Sequence, residues 1–390
     1  MIAKVGLHRP RYVLYCLRVC ATVILGVTGV YAYLFLRHKV PIWSGDGTSL
    51  YLTYGKLEGR LIRGMISTLL SGKLPELQMY SFSLGYGSDL LRSSVGLRDP
   101  FNLFYAFFPE DKSETCFTLI IYIRACCSAL AFSAYCFNRG EDRDATFIAS
   151  LCYAFSGMAV FLGMFKHPQF INWYIALPLA CMGADRVFDK RGGGWMVAAL
   201  AYAFFAYIYF SYMMCIFLFF YCLLKYFVHD RERSIKDFVL LVLTFVGLVL
   251  LAFGIASISS ASRVIDLLTQ DRASRKSVMP TLFALSRYAA TASYALGARI
   301  DTWGSGWYLG APAIVLGAAF VVSPGRFEKK TWVPWTIGLV ACLISALVPK
   351  MCSVLNGFSY PTSRWMVLYA FVCANLVRLG YKALPSLDRR

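Results

Sequence analysis

Long apolar segments alternate with short charged ones along the 390-residue chain. Most are about 17–25 residues long, the length an α-helix needs to cross the hydrocarbon core of a bilayer. The pattern predicts membrane spans at 12–36, 115–137, 146–165, 171–188, 237–258, 305–322, 333–348 and 365–380. The run 195–227 is too long for one crossing, and basic residues flank it on both sides (Lys190 and Arg191; Lys225 and Arg231). Matching basic flanks require an even number of crossings, so this run reads as two helices in a hairpin turning near Tyr209–Tyr212. The expectation is an all-α polytopic bundle of about ten spans, forming a single membrane domain over 1–390.

Lys4, Arg9 and Arg11 place the N-terminus in the cytoplasm, and an even number of spans returns the C-terminus there. The first span is too long for a removable signal peptide and ends without a small-residue cleavage site, so it reads as a retained anchor. Two large segments then fall outside the membrane on the far side, 40–113 and 259–304. The chain shows no internal repeat, the mark of many secondary transporters.

Composition sharpens the class. Charged residues make up 15% of the chain and hydrophobic ones 58%, with a mean hydropathy of +0.57, where a soluble domain carries about 25% charge. The net charge of +18 would suggest nucleic acid on a soluble protein. Here the excess lies largely in loops that the positive-inside rule assigns to the cytoplasm, so no nucleic-acid partner is expected. The 13 cysteines sit mostly within apolar runs and lack metal-ligand spacing.

Candidate chemistry concentrates in the first outer loop. Leu50, Tyr54, Leu57, Leu61, Met65 and Leu69 recur at helical spacing, with Lys56, Arg60 and Arg63 on the opposite face. This describes an amphipathic helix lying in the membrane interface, its bases facing either bulk phospholipid or an anionic headgroup in a cavity. Asp46 precedes that helix between two glycines. A carboxylate there caps the helix, or serves as a general base or metal ligand in a partly dehydrated site. Arg124 falls near the middle of the second span, where a guanidinium needs a cavity, an acid or a phosphate. Lys166 and His167 form a short basic turn, either an exposed turn or part of a binding site. Arg364 enters the last span beside Trp365, as an interfacial anchor or a phosphate ligand.

The stretches GDGTSLYLTY, FSLGYGSDLL and RDPFNLFYAFFP resemble the first extracytoplasmic loop of the bacterial YfhO family of membrane proteins. The likeness continues through IIYIRACCSALAFSAYCF, where Arg124 falls at a position usually basic in the family, to LNGFSYPTSRWMVLYAF near the end. Two features differ from the family pattern: Ser49 and Leu50 follow the acid where members carry polar residues, and members are usually much longer, so the chain reads as a short member or a fragment.

The resemblance implies a glycosyltransferase of the GT-C type in the bacterial cytoplasmic membrane. Such an enzyme moves a sugar from a polyprenyl-phosphate donor to a cell-envelope polymer or glycolipid at the outer face. It implies Asp46 as the catalytic acid of the first outer loop. The lipid phosphate would then be bound by Arg124, Arg98, Lys166, His167 and Arg364, with Arg60 and Arg63 nearby. It also implies membrane lipids and a partner glycosyltransferase and flippase, which make and move the donor. A divalent metal (Mg or Mn) is compatible with such chemistry, but no ligand cluster demands one. The rival readings are a lipid or glycan transporter or flippase, with Arg124 lining its pathway, and a non-catalytic membrane assembly protein.

Overall fold

The computed structural model describes residues 9–75, 80–82, 87–89, 99–228, 234–269, 280–297, 305–322 and 327–386. They form a helical bundle whose only sheet among the described residues is the two-residue antiparallel pairing of Tyr80–Ser81 with Ser88–Asp89. The main helices are α1 (Arg9–Leu36), α2 (Thr53–Leu70), α3 (Ser113–Asn138), α4 (Arg143–Ala154), α5 (Ile171–Phe188) and α6 (Gly194–Ala206). They continue as α7 (Ile208–Val228), α8 (Ile235–Thr269), α9 (Leu285–Ala295), α10 (Ala311–Val321), α11 (Lys329–Leu347), α12 (Pro349–Val354) and α13 (Met366–Ala383).

Six helical segments are long and apolar enough to cross a membrane, or seven if α4 and the π-helical turn Met158–Met164 are one span bent by 45°. The other expected spans fall on α5 and on two shorter apolar helices, α6 and α10. Every expected segment is therefore helical, but length and apolarity alone qualify six or seven rather than ten.

α1 shows how the bundle meets its solvent. Tyr15, Val19, Val23, Val27 and Tyr31 repeat every four residues and are all buried, so one stripe of the helix faces the core. Leu14, Leu17, Leu25 and Leu36 on the other faces are exposed, an arrangement suited to lipid rather than water. Tyr31 donates to the Met164 carbonyl at 2.6 Å and Tyr15 shares a 3.0 Å hydrogen bond with Ser133, tying α1 to the core at both ends. Among the six candidate spans, α3 and α13 are the most enclosed. At Gly380 of α13 an added Cβ would lie 1.8 Å from the Leu316 carbonyl oxygen, so α10 and α13 touch backbone to backbone there.

Two breaks in the helices shape one end of the bundle. The run 195–227 breaks at Tyr207, whose backbone is extended (φ −168°, ψ 109°), and Tyr209 and Tyr212 already belong to α7. The turn thus comes a few residues before the expected place. The expected span 146–165 bends after Ala154, where the Gly157 N–H leaves the helix to donate to the Tyr308 carbonyl at 2.6 Å. The Met158–Met164 turn that follows delivers Lys166 and His167 inward. π-helical turns are rare and recur at functional sites, and a second one, Gly47–Leu52, begins just after Asp46.

The loop after α1 holds a helix, α2, whose packing differs from the amphipathic arrangement expected there. Leu52, Gly55, Glu58 and Gly59 are the buried positions of this segment, while Leu69 and Leu70 are exposed. The glycines explain the choice of face. A Cβ at Gly55 would lie 2.5 Å from the Tyr105 ring, and one at Gly59 would lie 2.7 Å from the Tyr105 carbonyl oxygen. α2 therefore lies flush on the 3₁₀ helix Pro100–Phe107. Beyond α7, α8 continues to Thr269, so the second large loop begins as helix.

Candidate active site

Asp46 opens the π-helical turn in helical backbone conformation (φ −58°, ψ −22°), and its side chain makes no capping hydrogen bond. The carboxylate is instead about half exposed (51%), with Oδ2 4.0 Å from His167 Nδ1. That separation is too long for a hydrogen bond and short enough for strong electrostatic influence. The capping alternative is therefore not realised.

His167 is not an exposed turn residue either, since it is 8% exposed. Its Nδ1 hydrogen-bonds the Tyr51 hydroxyl at 2.7 Å. Its ring stacks on Phe170 with centroids 4.7 Å apart and meets Trp43 edge-on at 5.7 Å. Burial pushes its pKa down to about 4, and the Arg364 and Lys166 charges reinforce the effect against the opposing pull of Asp46. His167 is thus a neutral hydrogen-bonding group at neutral pH. Burial likewise raises the Tyr51 phenol, so it keeps its proton.

The cations beside this imidazole come from different parts of the chain. Lys166 Nζ lies 4.7 Å from the Trp43 ring centroid, and the Arg364 guanidinium lies 5.5 Å from that of Tyr209. The backbone N–H of Arg364 donates to Thr362 Oγ1 at 3.3 Å, holding the entry to α13. Asp46, Tyr51, Lys166, His167 and Arg364 thus converge from the first loop, the turn before α5 and the start of the last helix.

A sealed layer lies against this cluster. The Arg124 guanidinium, 5% exposed, pairs with Asp99 Oδ2, which also accepts from Asn172 Nδ2 at 2.8 Å. Asp99 Oδ1 accepts the Phe101 N–H at 3.1 Å, capping the 3₁₀ helix. A cavity of about 30 Å³ touches Asp99, Arg124 and Tyr51, room for a water molecule. Glu58 of α2 is also buried, 1% exposed. Desolvation raises its pKa well above the carboxylate range, and Asn102 and Arg124 only partly offset this.

Three of the basic residues expected to hold phosphate are therefore engaged elsewhere. Arg124 is enclosed by Asp99 and Asn172, because a buried guanidinium needs a counter-charge more than it needs access. Arg63 donates from NH1 to the Tyr105 and Phe108 carbonyls at 2.8 and 2.7 Å, clamping the loop on which α2 rests. Arg60 pairs with Glu110 at 3.0 Å. Arg98 lies outside the described residues. Among the described residues no group of three or more His, Cys, Asp or Glu side chains could hold a metal. The donor set around Asp46, a neutral imidazole and two cations, does not suit a divalent ion.

Sequence reading did not single out Asp99, Glu58, Asn172 or Tyr51. Asp99 had a usable signal: a guanidinium at mid-membrane depth demands an acid, and Asp99 begins a Pro-initiated turn in the loop just ahead of α3. Tyr51 had none, because its role depends on a partner far along the chain.

Residues 66–390 match the family model described as bacterial membrane protein YfhO. The chain belongs to the YfhO family. The match covers Arg124, Lys166, His167 and Arg364 and begins after Asp46. The chain is also 24% identical over 259 residues to the uncharacterized protein YfhO of Bacillus subtilis (strain 168), an alignment covering 64% of this chain and 27% of that protein. The chain thus spans about a quarter of the length of that YfhO relative. No solved structure matches it. Family and apolar helices together make it a bacterial membrane protein.

Proposed function

We propose that the Asp46 end of this YfhO-family bundle transfers a sugar from a polyprenyl-phosphate donor to a hydroxyl of a cell-envelope polymer or glycolipid. One observation carries the reading: a half-exposed carboxylate stands beside a buried neutral imidazole, with Lys166 and Arg364 close enough to shift that imidazole's titration. The reaction needs a base for the acceptor and positive charge for the departing phosphate, and both are present together.

In this scheme Asp46 takes the proton of the acceptor hydroxyl as its oxygen attacks the anomeric carbon. The bond from that carbon to the phosphate oxygen breaks on the opposite face, inverting the centre. The electron pair leaves with the lipid phosphate, whose growing charge Lys166 and Arg364 neutralise. His167 and Tyr51 supply hydrogen bonds rather than charge. Arg124 and Asp99 share with Tyr51 the lining of the small cavity next to the cluster. The transporter reading asks Arg124 to line a pathway, and its enclosure by Asp99 removes the feature that motivated it.

The test compares wild type with Asp46→Asn in a host lacking its own copy, reading glycosylation of envelope polymers by mass spectrometry at matched membrane levels. Loss of the sugar from the variant alone supports the proposal. Equal glycosylation by both proteins removes Asp46 from the chemistry.

A further inference from the structure

A sizeable groove lies remote from Asp46. A groove of about 660 Å³ runs between α7, α11 and α13, a volume within the range of about 300–1,000 Å³ typical of ligand sites. Along α11 its lining extends from Lys330 to Ser345, about 22 Å at 1.5 Å per residue. The length of the groove thus covers most of a bilayer's apolar thickness.

Its polarity is one-sided. Phe220, Leu368 and Trp365 typify the walls, which are almost wholly apolar, while Arg139, Lys225 and Lys330 line one mouth. No Asp or Glu is among the lining residues. Arg139 and Lys225 both bond the buried Asp185, at 3.1 and 2.5 Å, so two cations share one carboxylate and an excess positive charge is left. Lys330 pairs with exposed Glu328 at 3.2 Å and is itself about half exposed (47%). That mouth is the far end of the bundle from Asp46, because Lys225 closes α7 whereas Tyr209, beside Arg364, begins it.

We propose that this groove holds an anionic phospholipid, its headgroup against Arg139, Lys225 and Lys330 and an acyl chain along α7, α11 and α13. Charge complementarity selects the occupant. A long apolar slot suits any hydrocarbon chain, but three cations set against the two carboxylates Asp185 and Glu328 leave an excess positive charge, which favours an anionic headgroup over a zwitterionic one. The site would draw lipid from the leaflet at the Arg139 end, opposite the Asp46 cluster. It does not rest on the glycosyltransferase reading.

The test uses the full chain, purified in detergent and exposed to equal amounts of phosphatidylglycerol and phosphatidylcholine with matched chains. Retained lipid is read by native mass spectrometry. Phosphatidylglycerol should be retained about tenfold or more over phosphatidylcholine. Lys330→Gln should cut that preference several-fold, since Lys330 is accessible and its loss leaves the core intact. Ala341→Trp, at an exposed position lining the groove, should abolish retention of both lipids without lowering thermal stability. Ser345→Phe is a second plug should the first misfold. Equal retention of the two lipids, retention that survives both plugs, or a second copy of the chain bound in place of lipid would each overturn the proposal.

Discussion

The Tyr51 hydroxyl and the Nδ1 of His167 lie 2.7 Å apart although 116 positions separate them in the chain. This bond joins the loop after α1 to the turn before α5. It sets the plane of the imidazole that faces Asp46, so the site is assembled by two irregular turns rather than by any regular helix.

Removing the carboxylate tests the centre of the scheme. General bases contribute about 10²–10⁴-fold to rate, so Asp46→Asn should lower sugar transfer by at least about a hundredfold. Protein levels should not change, because the side chain is half exposed and makes no cap. A variant that retains most of the activity would argue against a base at this position.

Lys166→Gln and Arg364→Gln address the phosphate. Each should raise the KM for the polyprenyl-phosphate donor and lower kcat, since both charges meet the phosphate before and during its departure. Arg60→Gln, whose partner is Glu110, should leave both constants near wild type. Measuring the three side by side in membranes separates site cations from loop cations.

The sealed pair behind the site should be a matter of stability. Breaking a buried ion pair by removing one partner costs roughly 3–5 kcal/mol. Asp99→Leu and Arg124→Leu should each lower the melting temperature in detergent, while the double variant recovers part of the loss. Additive losses in the double variant would mean that the two charges do not depend on each other.

The imidazole gives a pH dependence with a definite sign. Its folded pKa of about 4 lies below the ordinary value of 6.5, so the unfolded chain binds more protons between those values. Stability should fall as pH drops from about 6.5 toward 4 and be flat for this group above that window. His167→Gln should shrink the dependence, which a thermal melt series across pH would register.

The packing of α2 offers a steric test. Gly59→Val would place side-chain atoms against the Tyr105 carbonyl oxygen, a backbone atom that cannot swing aside. Overpacking costs about 1–3 kcal/mol, so α2 should lift from the 3₁₀ helix and displace Asp46. Faster limited proteolysis near residue 75, together with reduced transfer, is the expected result.

Much of the architecture was already determined by the sequence. Apolar runs of membrane-spanning length announced an all-α membrane bundle, in which six or seven helical segments are long and apolar enough to cross, because in lipid each backbone polar group must be bonded within its own segment. The likeness carried by RDPFNLFYAFFP and LNGFSYPTSRWMVLYAF agreed with the family match, which begins after GDGTSLYLTY. The depth of Arg124 in its span also announced a buried charge needing a partner.

Tertiary structure alone decided what each polar group meets. Helical period could mark the apolar stripe of α2, yet the packed face is Gly55, Glu58 and Gly59, because close approach to Tyr105 depends on the absence of side chains. Arg124 met an acid rather than a phosphate because a preceding loop folds Asp99 onto it. The bend at Gly157 and the meeting of Tyr51 with His167 depend on contacts across more than a hundred residues. Periodicity in a sequence reports how a helix meets its solvent, whereas a site in this bundle depends on where helices stop.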